Sequence, residues 1–365
     1  MEEKLICSVC GASLGGEAVH EFDGQLLCNY CFDEQTVECS CCHERIWRDD
    51  AEGNEDISLC AHCYEYNYCR CEDCGRLMTN DEARYYDDYP YCNTCYENLT
   101  NCAIHPYSYK PEPIFYGSGI LFYGIELEID DGGDYEDNAD DILQAANNHD
   151  FVLYAKHDGS IDDGFELVSE PASLEYHMNT FNWRKVFERA VSLGYKSHYT
   201  STCGLHIHVN RSAFGETGST QEEVIARIVH FVEKNWLELV KFSRRTESNL
   251  NRWAARYATV SAQVQDTYKK AKDKRMGRYV AVNLENEDTI EFRLFRGTLR
   301  YSTFMATLQL VDEICNAAIS LSDREFERMA WSDFVMQIKN KPELIEYLKS
   351  KHLYVNEAIE EGADE

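Results

Sequence analysis

Three runs beyond residue 120 alternate apolar and polar residues with a period of two: Tyr123–Ile129, Cys203–Val209 and Thr289–Phe295. Residues two apart share one face of a strand. The apolar positions Ile125, Leu127 and Ile129, then Leu205, Ile207 and Val209, then Ile290, Phe292 and Leu294 predict one buried face. The opposite face would carry Glu126 with Glu128, His206 with His208, and Glu291 with Arg293. Each pair alone fits a solvated strand face or a surface salt bridge. In one sheet they make a floor of carboxylates, imidazoles and a guanidinium. Clustered carboxylates repel one another unless something positive sits among them, and a divalent cation holding a phosphorylated ligand is the natural occupant.

Other segments fill in the elements. Strands are predicted near 120–129, 151–155, 165–168, 203–210, 278–284 and 289–296, and Asn283–Asp288 reads as a hairpin turn joining the last two. Helices are predicted over 138–148, 173–193, 221–245, 302–321 and 342–351; in the third, Val224, Ile228, Phe231, Val232, Leu239 and Val240 recur near helical spacing. Hairpin-joined strands and long helices predict an α+β domain over 114–355, with a mainly antiparallel sheet covered by helices on one face. Residues 106–113 carry three prolines and no apolar period, and read as a linker. The acidic end, 356–365, reads as a disordered tail.

The first 105 residues follow another rule. Cys7, Cys10, Cys28 and Cys31 form a Cys-x-x-Cys, seventeen-residue, Cys-x-x-Cys unit. Cys39, Cys42, Cys60 and Cys63 repeat it, as do Cys71, Cys74, Cys92 and Cys95, with a period of 32 residues. Two such knuckles supply four thiolates, which suits tetrahedral structural zinc; three ions are expected, in modules 7–31, 39–63 and 71–95. Zinc here staples small modules that have no core of their own. Hairpins are predicted at Phe22–Leu27 and Tyr85–Tyr91. The insert length resembles the zinc-binding halves of LIM domains, although LIM domains join their halves by a shorter spacer. That likeness to LIM-like or zinc-ribbon modules implies protein binding.

Charge narrows the partners. The 365 residues carry a formal charge of −30, and residues 1–105 hold 22 acidic against 6 basic residues. Nucleic acid and anionic membranes would be repelled. No run approaches the roughly 20 apolar residues of a membrane-spanning helix, and the start, Met1–Cys7, lacks the basic and apolar regions of a signal peptide. A cytoplasmic protein is expected, in which 17 cysteines mean metal more than disulfides.

A fourth segment, Lys156–Pro171, joins the dyads and offers Asp158 and Glu166 on either side of a glycine-containing turn. The order GIELE, KHDGS…GFELVSEP, CGLHIHV and RYVAVNLENEDTIEFRLFRGTL resembles the amidoligases, ATP-dependent carboxylate–amine ligases of the glutamine synthetase and glutamate–cysteine ligase superfamily. The likeness covers roughly 115–325 and leaves out the cysteine array. It implies a glutamine synthetase-like fold, with ATP and Mg²⁺ (or Mn²⁺) at the site. It implies that Glu126 and Glu128 serve two different metal ions, that Asp158 and Glu166 add ligands to one of them, and that His206 contacts metal or phosphate. Asp158 stands where that superfamily commonly has Glu, and its arm is shorter. Glu291 would be a metal ligand and Arg293 would hold the transferred phosphate. Lys156, Arg278, Arg296 and Arg300 are further candidates for phosphate or substrate carboxylate. The reaction implied is activation of a carboxylate by ATP and its capture by an amine, with the cysteine modules docking a protein or peptide substrate. Two other readings compete: a metal-dependent hydrolase built on His-x-His, and a non-catalytic zinc-module adaptor on an inactive ligase fold.

Overall fold

The computed structural model describes residues 5–14, 19–86, 88–147, 150–198, 203–273 and 275–354. The acidic tail expected over 356–365 lies outside them. The chain divides into two compact units, Met1–Asn101 and Cys102–Glu365.

The larger unit is built on a seven-stranded sheet. Its strands are β1 (Ile104–His105), β2 (Tyr123–Ile129), β3 (Leu153–Lys156), β4 (Phe165–Ser169), β5 (Gly204–Asn210), β6 (Val282–Asn283) and β7 (Thr289–Arg296). Their spatial order is β1-β3-β4-β2-β5-β7-β6. β1 runs parallel to β3, and every other neighbouring pair is antiparallel. The three strands that carry the dyads therefore lie side by side at the centre. Ile104 and His105, which sequence spacing leaves with the cysteine-rich stretch, belong to this sheet.

The apolar face behaves as the alternation requires. Ile125, Leu127, Ile129, Leu205, Ile207, Val209, Ile290 and Phe292 are all fully out of solvent and share one core with the helices. Burying each such side chain is worth roughly 1.5–3 kcal/mol. The period breaks in one place. Leu205 pairs with Phe295 but Ile207 pairs with Phe292, so Arg293 and Leu294 together face His206. Two residues opposite one is a β-bulge. It moves Phe295, not Leu294, opposite Leu205, and it lies at the strand that carries Arg293.

The helices are more interrupted than the apolar pattern predicts. The stretch 173–193 forms two, α1 (Leu174–Asn179) and α2 (Trp183–Ser192). Between them Phe181 stacks on Trp183, with ring centroids 4.1 Å apart. The stretch 221–245 also forms two, α3 (Gly218–Lys234) and α4 (Trp236–Ser243). At the joint, the Asn235 side-chain amide donates to the Phe231 carbonyl at 2.9 Å, where it competes with the helical bonding pattern. Helices α5 (Glu247–Trp253) and α6 (Val264–Asp273) occupy a region with no predicted element. The strand expected over 278–284 shrinks to β6. The long α7 (Tyr301–Ser320) is buried along most of its length.

A buried polar network fixes β2. Burial lowers the His177 imidazole to about 4, so it is neutral. Its Nδ1 accepts from Trp183 Nε1 at 3.2 Å, and its Nε2 donates to the Tyr123 carbonyl at 2.9 Å. Tyr123 Oη in turn donates to Asp312 Oδ1 at 2.6 Å. The start of the Glu-x-Glu strand is thus tied to α1, α2 and α7.

The smaller unit consists of three like modules. In each, a short hairpin leads into a helix just after the third cysteine: Asn29–Gln35, Ala61–Asn67 and Asn93–Asn101. The hairpins pair Val19–Phe22 with Gln25–Cys28, Glu52–Gly53 with Ser58–Leu59, and Arg84–Tyr86 with Tyr89–Tyr91. The middle hairpin is one that the sequence reading did not mark. Each first knuckle is closed the same way, by Gly11, His43 or Gly75 donating at 2.9 Å to the carbonyl of Cys7, Cys39 or Cys71. All three closing residues have positive φ: 73°, 64° and 72°.

Candidate active site and metal centres

The polar residues of the central strands converge on a cleft of about 980 Å³. Register explains which meet. Glu126 lies opposite His206, Glu128 opposite Glu166, Lys156 opposite Glu166, and His208 opposite Glu291. Glu128, Glu166, His206 and Glu291 are each 5% exposed or less. So many buried ionisable groups persist only where partners or a bound ion offset the loss of water.

Two ligand groups form there. Glu126, His206 and Glu291 bring ligand atoms within 4.8 Å of one another, and so do Glu128, Glu166 and His206. His206 belongs to both. Its Nδ1 stands 3.4 Å from Glu126 and 3.7 Å from Glu291. The Gly204 amide, at the Nε2 edge of the same ring, donates to Glu128. The donors are carboxylate oxygens with one imidazole, which suits Mg²⁺ or Mn²⁺.

The two groups differ in what already balances them. Burial would raise Glu126, but His208 and His206 outweigh it and hold its carboxyl well below the usual range. Glu291 is likewise lowered against its burial, chiefly by His208 and His206. Arg293 Nη1 and Asn283 Nδ2 also donate to Glu291, the latter at 2.8 Å. On the other side burial wins. Glu166 is pushed well above the carboxylate range by burial and by Glu126, although Lys156 Nζ sits 3.2 Å away and opposes the shift. Glu128 is raised by burial too, against His206 and the Gly204 amide.

Asp158 lines the cleft but joins neither group. Its Oδ1 accepts from the Ser160 amide at 2.7 Å and the Ser160 hydroxyl at 2.5 Å, which ties the short side chain into its own turn. Arg278 is at the rim, where Nη1 donates to Tyr107 Oη at 3.0 Å and Nη2 to Tyr279 Oη at 3.1 Å. Lys156 and Arg293 line the cleft; Arg296 and Arg300 do not. Arg296 lies past the bulge, opposite Gly204, and Arg300 is exposed at the start of α7.

Several lining residues escaped the sequence reading. Tyr107 comes from the proline-rich segment, Arg245 follows α4, Trp253 ends α5, and Asn283 sits on β6. Asn283 had a signal: it opens the hairpin turn beside Glu291. An Arg-Arg pair directly after an apolar helix was the signal for Arg245.

The cysteine groups are separate chemistry. In each of the three sets of four, all Sγ atoms lie within 4.8 Å. Cys10–Cys28, Cys42–Cys60 and Cys74–Cys92 are 3.9, 3.8 and 3.8 Å apart. A disulfide would need about 2.05 Å, whereas the edge of a tetrahedron with Zn–S of about 2.3 Å is about 3.8 Å. Amide groups of Cys10 and Cys28 directed at Cys7 lower its thiol to about 6. Cys39 and Cys71 are also brought to about 6, by the amides of the same knuckles acting against burial. These groups could hold three zinc ions.

A family model described as "Putative amidoligase enzyme" matches residues 141–315. That span takes in β3 to β7 and most of α7, and it starts after the Glu126–Glu128 strand. The crystal structure of a bifunctional glutathione synthetase from Pasteurella multocida aligns over 63% of this chain and 46% of its own, with 13% identity and a TM-score of 0.37. The chain thus spans about half the length of that synthetase, and a likeness this weak transfers neither fold nor function. Among proteins of curated function none matches. No helix among the described residues is long and apolar enough to cross a membrane.

Proposed function

We propose that the larger unit is an ATP-dependent carboxylate–amine ligase that forms an amide or isopeptide bond through an acyl phosphate. The observation that carries this reading is the pair of carboxylate groups sharing His206, with Arg293 held beside them by Glu291. The family match over β3 to β7 points the same way.

A carboxylate is a poor electrophile, so its oxygen must first attack the γ-phosphorus of ATP, releasing ADP. The amine then attacks the acyl carbon and phosphate leaves. Mg²⁺ or Mn²⁺, held by Glu126 and Glu291 or by Glu128 and Glu166 with His206, would offset the triphosphate charge. Arg293 places a guanidinium where charge moves during transfer. Its Nη1 is fixed by Glu291, while its buried Nε has no hydrogen-bond partner and can meet an incoming oxygen. His208, with Nε2 3.3 Å from Glu126 and its pKa raised against burial chiefly by that carboxylate, stands on the same wall. Lys156 lines the cleft with Nζ 3.2 Å from Glu166. Tyr107, Tyr279 and Trp253 at the rim would limit water, which otherwise hydrolyses an acyl phosphate.

The cysteine modules, acidic and built like small interaction domains, would recruit a protein or peptide partner rather than nucleic acid. Thiols kept as metal ligands suit a reducing, cytoplasmic setting. A hydrolase on the His-x-His strand is less well supported, because His206 and His208 both face carboxylates and guanidiniums crowd the cleft.

The test is Mg²⁺-dependent cleavage of ATP to ADP, stimulated only when amine and carboxylate are both present. Glu128→Ala and Arg293→Ala should each abolish it and leave zinc content unchanged. Normal turnover in both variants would remove the proposal.

A further inference from the structure

Arg245 is a buried guanidinium in the cleft with an unused donor. It is 8% exposed, it lines the cleft, and its Nη1 is inaccessible to solvent without a hydrogen-bond partner. The backbone puts it there by a strained route. Helix α4 ends at Ser243, Arg244 adopts φ +62°, and the Arg245 amide donates to Ser243 Oγ at 3.2 Å. A non-glycine residue in the left-handed region is costly, and here it turns the next side chain inward. Space is kept open for that side chain: a Cβ on Gly204 would lie 2.4 Å from Arg245 Nη2.

Arg293, on the neighbouring β7, also holds back a buried donor, Nε. Glu128 already acts on Arg245, and Glu291 is paired with Arg293, yet each guanidinium keeps one buried N–H without a partner, which an incoming anion can satisfy. Guanidinium donors fit oxyanions. A phosphoryl group offers three terminal oxygens and more negative charge than a carboxylate to two arginines and a cation.

We propose that Arg245 and Arg293 form a two-guanidinium clamp for the phosphoryl group that passes between nucleotide and carboxylate. This rests on the ligase reading above and adds Arg245 to it as a binding residue.

Calorimetry on the full chain with Mg²⁺ tests it, using inorganic tripolyphosphate and acetate as probes. Arg245→Gln should weaken tripolyphosphate binding about tenfold or more, the loss expected for charge-assisted bonds, and leave acetate unchanged. Arg245→Lys should lose less, and Arg189→Gln, in the half-exposed pair with Asp141 that does not line the cleft, should lose nothing. If Arg245→Gln does not fold, the rise in melting temperature on adding tripolyphosphate, compared between wild type and Arg245→Lys, gives the same readout. Unchanged tripolyphosphate binding in Arg245→Gln overturns the clamp. So does a loss confined to acetate, which would make Arg245 a carboxylate site. Arg245-dependent tripolyphosphate binding in a wild-type protein that never cleaves ATP would instead leave the clamp and remove the ligase reading.

Discussion

Glu128 and Glu166 face each other directly across β2 and β4, both nearly out of solvent. Like charges opposed on neighbouring strands destabilise a sheet. Glu128→Gln should therefore raise the melting temperature of the cation-free protein by about 2–4 °C, the equivalent of about 1 kcal/mol in a unit of this size. The same change should weaken Mn²⁺ binding, followed by electron paramagnetic resonance, by about tenfold or more. A lower melting temperature without Mn²⁺ would show that the pair is balanced by the protein alone.

The pH dependence follows from the same two groups. Burial raises both carboxyls, Glu166 strongly, so each favours its protonated form in the folded chain. The stability they contribute without cation is complete below the ordinary carboxylate range and is lost as pH climbs through their raised values. Protons and cations compete for these oxygens. The gain in melting temperature on adding Mn²⁺ should grow as pH rises through that window; a constant gain would place the ion elsewhere.

Much of this arrangement was legible beforehand, and the reason is local. Strand alternation is a two-residue property, so the faces of Glu126, Glu128, His206 and Glu291 could be read without knowing the fold. The cysteine period was readable because identical spacings repeat along the chain itself. Arg296 shows the limit: plain alternation sets it with Ile290, Phe292 and Leu294, the unannounced bulge at Arg293–Leu294 sets it opposite Gly204, and it still lies beyond the cleft. Asp158 was drawn away by Ser160, two residues on, and Arg245 enters through a single left-handed residue at the end of a helix. The helices break where short-range contacts intervene, the Phe181–Trp183 stack and the Asn235 amide on the Phe231 carbonyl, which an apolar period does not encode.

The middle cysteine module carries a strained residue that the other two avoid. His43 has φ +64° where Gly11 and Gly75 take the same role. Its ion pair with Glu38, at 2.9 Å, is largely exposed and worth little. His43→Gly should stabilise the closed knuckle by about 1 kcal/mol, which slows release of one zinc equivalent to a chelator by about fivefold. Release from the outer modules should not change.

Zinc itself should prove structural. The protein should contain three zinc ions, one per group of four cysteines, and Cys39→Ser should remove one. Chelation should abolish amide protection within 5–101 and spare the core of 102–354, because only the small modules depend on metal for folding. Hydrogen exchange read by mass spectrometry distinguishes the two regions.

Gly204→Ala probes the floor from beneath. Its Cβ would sit 2.4 Å from Arg245 Nη2 and 2.8 Å from His206 Nε2. Overpacking of this kind costs about 1–3 kcal/mol, less than a domain of this size is expected to hold. The variant should fold with full zinc content and lose ATP turnover by about tenfold or more.

The double membership of His206 has a consequence in valence. A neutral imidazole has one ring nitrogen with a free lone pair, and its other nitrogen carries hydrogen. Yet one edge of the ring faces Glu126 and Glu291, and the other faces the Gly204 amide that Glu128 engages. Short of imidazolate, the ring can ligate an ion on one side only, while its N–H orients the carboxylate on the other. A second ion would then find a coordination shell one protein ligand short, open to an oxygen that the substrate brings with it.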